Sequence, residues 1–161
     1  EAPGTALNQF IVSYDGTLYR LPVPVAELVE HGWEINEQQS DQAVKGLQYG
    51  YVTLEKNGQR MFGNVRNDSK EAVTVENCFV TSLYGDMDTT KIPIAVAGNI
   101  TLGTPEEEFF SADLGEYEKT ENDGGETVVY TFYEDETREN YTEITVDAAL
   151  RLVRGIKVVK Q

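Results

Sequence analysis

The chain has 161 residues, 40% of them hydrophobic and 10% aromatic. That is enough to bury a core and too apolar for global disorder. Its 28 Asp and Glu against 13 Lys and Arg leave a charge of −15 at pH 7, which disfavours nucleic acid and anionic membrane surfaces as partners, since both need clustered cations.

No run approaches the roughly 20 apolar residues of a membrane span. The opening Glu1-Ala2-Pro3-Gly4-Thr5 has no basic start, no apolar run and no initiator Met, so it reads as a chain from which a targeting segment or a lipid anchor has been removed. Residues 1–9 are expected to be a flexible N-terminal segment. The single cysteine, Cys78, excludes an intrachain disulfide and sits in the apolar run Cys78-Phe79-Val80, where a buried, inert thiol is expected.

In chain order, Phe10–Tyr14 reads as a strand and Asp15-Gly16 as a turn. Tyr19-Arg20-Leu21-Pro22 continues extended. Val25, Leu28 and Val29 recur at helical spacing before Gly32, which predicts a short helix near residues 23–31 capped by that glycine, with Trp33 packing back over it. The polar stretch from Glu34 to Gly46 reads as a loop or a weak second helix. Three strands follow, Tyr49–Lys56, Gln59–Arg66 and Ala72–Leu83. Asn57-Gly58 marks the first hairpin, and a bulge is expected near Asn77. The polar segment Tyr84–Thr90 is expected to separate two halves.

The second half opens with a strand, Ile92–Val96, and a turn at Ala97-Gly98-Asn99. In Thr104-Pro105-Glu106-Glu107-Glu108, Thr104 reads as a helix N-cap, Pro105 as the first helical residue, and the acids as partners of the helix dipole. Phe109, Phe110 and Leu114 give this helix an apolar side and Gly115 ends it. An acidic loop, Glu116–Gly125, leads to three strands near residues 126–134, 139–147 and 150–159, with Ile144, Val146, Leu152, Ile156 and Val158 as core. Charge is concentrated here: residues 106–147 hold fifteen acids and two bases, Lys119 and Arg138.

At an offset of 83, Pro22 meets Pro105 and Gly32 meets Gly115. The expectation is therefore an α+β fold of two tandem repeats, residues 10–88 and 89–161, each with a short helical segment packed on one face of an antiparallel sheet.

Residues 100–115, with Gly103-Thr104-Pro105-Glu106-Glu107-Glu108 at a helix start and Gly115 at its end, followed by three strands and Gly155-Ile156-Lys157-Val158, resemble the BamE/SmpA-like module. That module also forms the tandem repeats of β-lactamase inhibitor proteins. The first half, through Tyr19-Arg20-Leu21-Pro22-Val23-Pro24, Gly32-Trp33 and Asn77-Cys78-Phe79-Val80, resembles uncharacterised secreted or lipid-anchored proteins of gut Firmicutes. The resemblances imply an extracellular or cell-surface protein that binds a protein partner through a sheet face and its loops. The inhibitor proteins carry disulfides, which this chain cannot form, so inhibition of a β-lactamase does not transfer.

Several chemistries find no motif. One histidine, His31, is too few for the usual zinc sites, and its place before Gly32 suits a helix C-terminus. There is no nucleophile elbow, P-loop or dinucleotide fingerprint, and no cofactor is expected. Asp86-x-Asp88 and Glu121–Glu126 offer clustered oxygens without the full calcium-loop register. Asp86 and Asp88 are thus weak metal candidates against a solvated loop. Paired carboxylates for a carbohydrate hydrolase are available only because acids are abundant.

If Val52, Leu54, Ile144 and Val146 face inward, alternation places Tyr49, Tyr51 and Tyr141 on the opposite sheet face. Tyrosine is favoured at binding surfaces for its rigid area and hydroxyl, and it also serves antiparallel sheets as a cross-strand stabiliser. The functional expectation is a non-enzymatic module binding a protein or cell-envelope ligand through Tyr49, Tyr51 and Tyr141. The alternatives are a carboxylate-dependent hydrolase acting on carbohydrate and a structural component of a surface assembly.

Overall fold

A computed structural model describes residues 7–161. Of the N-terminal segment 1–9, residues 1–6 lie outside the described residues and Leu7–Gln9 form a 3-10 turn. The chain then runs through β1 (Ile11–Tyr14), β2 (Thr17–Arg20), β3 (Val23–Pro24), α1 (Val25–Glu30), β4 (Glu34–Ile35), β5 (Ala43–Val44), β6 (Tyr49–Lys56), β7 (Gln59–Arg66), β8 (Val73–Thr74) and β9 (Phe79–Val80). It continues with β10 (Ser82–Asp86), β11 (Ile94–Val96), β12 (Ile100–Thr101), α2 (Glu106–Ser111), β13 (Glu118–Asn122), β14 (Thr127–Tyr133), β15 (Tyr141–Asp147) and β16 (Leu152–Val159).

This is a mostly β protein. The expected α+β fold of two repeats, each with a helix covering one face of a sheet, is overturned: the described strands form four sheets, and each of the two α-helices has only six residues. The physical reason lies at the helix ends. Pro24 precedes α1 and Gly32, at φ 98°, lies just beyond it, while Asp113 takes a left-handed φ of 49° just after α2. Six residues make fewer than two turns, too little apolar face to cover five strands. Helix α1 buries only Val25 and Leu28, and it packs mainly on β3 and the 3-10 turn Val75–Asn77. Among the described residues no helix is long and apolar enough to cross a membrane.

The chain forms two compact units, Leu21–Leu83 and, in the other, residues through Arg20 together with Tyr84–Lys160. In the unit 21–83 the sheet order is β3-β9-β7-β6-β4, and β5 pairs with β8 apart from it. Its centre is the β6–β7 hairpin, in register from Tyr49↔Arg66 to Lys56↔Gln59. The turn takes positive φ at both Asn57 (50°) and Gly58 (82°), the conformation that this dipeptide tolerates best. Val52, Leu54, Met61 and Val65 are buried on the inward side, together with Leu28, Trp33 and Cys78. The Trp33 backbone N–H donates to the Leu28 carbonyl at 3.1 Å, which turns the chain at the helix end, and the Trp33 side chain is fully buried. Burial pushes the Cys78 thiol pKa up, which suits an unreactive sulfur.

The second unit holds two sheets, β12-β11-β1-β2 and β10-β16-β15-β14-β13. The first joins distant segments, with Ser13 opposite Ala95. In the larger sheet Tyr130, Phe132, Ile144, Val146, Val153, Ile156 and Val158 are buried. Phe109 of α2 packs on this side, its ring 5.1 Å from Tyr130 and 5.8 Å from Phe132. Leu152, expected in the core, is only half-buried, and Phe110 stays exposed.

Other local expectations change: the strand expected over Ala72–Leu83 is split among β8, β9 and the start of β10, α2 stops at Ser111 short of Gly115, and the stretch 34–46 contains β4 and β5. The separator Tyr84–Thr90 begins inside β10, which pairs with β16. The acidic loop Glu116–Gly125 contains β13, because β14 offers it a full set of backbone partners from Glu118↔Thr131 to Asn122↔Thr127. The bulge near Asn77 is a 3-10 turn. Thr104 caps no helix: its hydroxyl accepts the Thr101 N–H at 2.9 Å, and Pro105 stands at the cap position.

Candidate binding faces

The outward side of the β6–β7 hairpin carries the first two predicted residues. Tyr49 is 57% exposed, Tyr51 52% and Phe62, on the neighbouring strand, 65%, more than expected for rings that served only the core. Register explains the grouping. Tyr49 lies opposite Arg66, Tyr51 opposite Asn64, and Phe62 opposite Thr53, so all three rings leave the same face of adjacent strands. Two cations flank them. Arg60 lies 6.0 Å from the Phe62 ring and pairs with Glu55 at 3.0 Å. Arg66 is held charged by its hydrogen bond to Asp68, with Tyr49 a further partner.

The outer edge of β6 is secured by the polar segment after β4. The Thr53 N–H donates to Ser40 Oγ at 2.8 Å, and the Thr53 hydroxyl donates to the Gln39 carbonyl at 2.8 Å. The Tyr51 N–H donates to Asp41 Oδ2 at 3.0 Å, and the Asp41 N–H returns to the Tyr51 carbonyl at 3.1 Å. This close approach requires Gly50, since a Cβ there would lie 2.7 Å from Asp41 Oδ2 and 2.8 Å from Val44 Cγ2. Short polar side chains thus take the place of a further strand, which fixes the backbone that carries the two tyrosines.

Tyr141 does not join them. It lies on β15 in the other unit, half-exposed. Its cross-strand neighbour is Tyr133, with ring centroids 5.9 Å apart, and Lys157 sits 6.0 Å from its ring. On the far side of Tyr133 the Arg138 guanidinium stacks at 4.3 Å, donates to the Tyr133 hydroxyl, and grips both oxygens of Glu118 at 2.7 and 2.6 Å. Cation, ring, ring and cation therefore follow one another across the sheet. The same outward side includes an open depression of about 610 Å³ bordered by Tyr84, Glu143, Thr145 and Lys157.

Asp86 and Asp88 stand at one end of that depression. The Asp86 carboxylate accepts the Asp88 and Thr89 N–H groups at 2.8 and 2.7 Å and the Thr89 hydroxyl at 2.7 Å. Burial pushes its pKa up, yet these hydrogen bonds outweigh it and hold the carboxyl below its usual range. Asp88 pairs with Arg154 at 3.5 Å. The Asp86 carboxylate is thus engaged in closing a turn and the Asp88 carboxylate in an ion pair. Among the described residues no three His, Cys, Asp or Glu side chains converge as metal ligands.

For carboxylate chemistry, the one buried acid among the described residues is Glu106. Its oxygens accept from Arg151 at 2.7 Å and from the Tyr130 hydroxyl at 3.2 Å, which makes it a structural ion pair. The carboxyls that do move, Asp86, Glu118 and Asp135, are all lowered; Arg138 hydrogen-bonds Glu118 and the Thr137 hydroxyl hydrogen-bonds Asp135. A general acid needs the opposite shift.

Phe62, Tyr133 and Arg138 were missed from the sequence. Phe62 was within reach, because the inward set Met61 and Val65 on β7 puts position 62 outward by the same alternation used for Tyr49. Arg138 was not, since its link to Glu118 spans a hairpin and an edge strand. No protein-family model matches this chain, and no curated protein and no solved structure matches it either.

Proposed function

We propose that the chain is a non-enzymatic binding module acting outside the cell or at its surface, and that the outward face of the β6–β7 hairpin is its principal contact for a protein or cell-envelope ligand. The observation that carries this reading is the grouping of Tyr49, Tyr51 and Phe62, all more than half exposed, on a hairpin whose β6 edge is held by Asp41. Exposed rings held on a rigid sheet lose little entropy on binding and gain desolvation energy when covered, as is usual for interface anchors. The resemblance of the first half to secreted or lipid-anchored proteins agrees with that location. Tyr141, in the other unit, belongs to a second and smaller aromatic group.

The test is capture from the envelope and secreted fractions of the source organism with three folded proteins: the wild type, a Tyr49→Ser/Tyr51→Ser/Phe62→Ser variant, and Tyr141→Ala. A ligand bound by the wild type and by Tyr141→Ala, but lost by the triple variant, is the expected result. Equal capture by all three, or loss only with Tyr141→Ala, overturns the assignment to β6–β7.

A further inference from the structure

The edge strand β13 has properties the aromatic face does not share. Among the described residues it pairs with β14 alone, and it ends the sheet order β10-β16-β15-β14-β13. All five of its residues are exposed. It carries no proline and no bulge, and its register with β14 is unbroken over its whole length. One side of its backbone therefore presents a straight row of N–H and C=O groups to solvent, the geometry to which a further strand adds. Exposed edges are ordinarily blunted by charged side chains, lysine above all, by proline or by a bulge. This one carries Glu118, Lys119 and Glu121, so its protection is mostly negative charge that a cationic strand would neutralise, and the Lys119 ammonium leans back to 6.0 Å from the Tyr130 ring.

The surrounding charge selects the occupant. Glu116, Glu118, Glu121 and Asp123 lie on the strand or beside it, and the stretch 106–147 holds fifteen acids to two bases. Of these four carboxylates Glu118 is matched by Arg138. A second copy of the chain would set this acidic stretch against itself, and an acidic or neutral strand would leave its charge unmatched. We infer that β13 is a strand-addition site for an extended, lysine- or arginine-bearing peptide segment, held by backbone pairing along Glu118–Asn122 and by ion pairs to Glu121 and its acidic neighbours. The inference rests on the second unit alone and does not depend on the β6–β7 reading.

The test uses the whole isotope-labelled chain and three short capped peptides: one alternating lysine and threonine, the same peptide with every second amide N-methylated, and one alternating glutamate and threonine. The first peptide should bind in calorimetry, weaken as salt is raised, and protect backbone amides of residues 118–122 from hydrogen exchange. N-methylation removes the donors that pairing needs without changing charge, so it should weaken binding at least about tenfold, the loss of two backbone hydrogen bonds. The glutamate peptide should not bind. Glu121→Lys should weaken the first peptide about fivefold, as one partly screened ion pair does, with an unchanged thermal midpoint. Equal affinity for the methylated peptide means charge attraction alone and overturns strand addition. Protection elsewhere in the chain, no binding, or a β13-mediated dimer in sedimentation also overturns it.

Discussion

Asp41 holds both backbone polar groups of Tyr51: its carboxylate takes the Tyr51 N–H at 3.0 Å and its own N–H reaches the Tyr51 carbonyl at 3.1 Å. The most exposed stretch of β6 is thereby anchored at its outer edge by a single residue ten positions earlier. Together with Gly50 this contact lets the segment after β4 lie flat against the strand. This aromatic face owes its rigidity to a side chain it does not display.

Asp41→Ala should therefore destabilise the unit 21–83 by about 1–2 kcal/mol, the usual cost of a lost charge-assisted hydrogen bond at a partly exposed site. Asp41→Asn keeps a carbonyl acceptor and should lose less than half of that. Urea unfolding of both variants, with amide exchange at Tyr51 as the local readout, checks it. An Asp41→Ala protein with wild-type exchange at Tyr51 would show that the edge is held by something else.

Acid stability should depend on Asp86. Hydrogen bonds to Thr89 and Asp88 overcome burial and place its folded carboxyl below the ordinary value of 3.8. The charged form is the one the fold prefers, so this contribution is complete above that value and disappears as pH falls through the lower folded value. Asp86→Asn should cost about 0.5–1.5 kcal/mol at neutral pH, the range of a single turn hydrogen bond. The gap between the two proteins should shrink on acidification, as denaturation midpoints measured across the acid range will show.

The alkaline limb has the opposite sign. Burial, followed by the Glu106 carboxylate, pushes the Tyr130 hydroxyl up to about 12, and burial followed by Asp86 does the same for Tyr84. Tyr14 is also raised, mainly by burial. An unfolded tyrosine releases its proton near 10, while the folded ones still hold theirs. Stability is therefore complete below pH 10 and falls as pH climbs toward 12. Tyr130→Phe removes one of these three groups, so its stability should fall less over that window than the wild type's. Parallel slopes for the two proteins would mean that Tyr130 titrates normally in the fold.

Much of the local structure was legible in the sequence, and the reason is that it is local. Asp15-Gly16 and Asn57-Gly58 adopt positive φ because those residues tolerate it, and Gly32 lies just beyond α1 for the same cause. Alternation along β6 and β15 placed Val52, Leu54, Ile144 and Val146 inside and Tyr49 and Tyr51 outside, since a strand's side chains take opposite faces whatever the rest of the chain does.

What only the tertiary structure decided is which backbone groups meet. Glu118–Asn122 has no apolar alternation, yet it is a strand because β14 supplies its hydrogen bonds. The stretch Asn36–Asp41 has no strand pattern at all, yet it secures the edge of β6 through Ser40 and Asp41 side chains. Ser13 finds Ala95, and Tyr141 finds Tyr133 while Tyr49 and Tyr51 lie in a different sheet. A dihedral preference belongs to a residue and is written in its side chain, whereas a hydrogen-bond partner across a sheet belongs to the whole chain's path, which is why the turns and the inward residues could be read from the letters and the sheets, the edges and the grouping of the tyrosines could not.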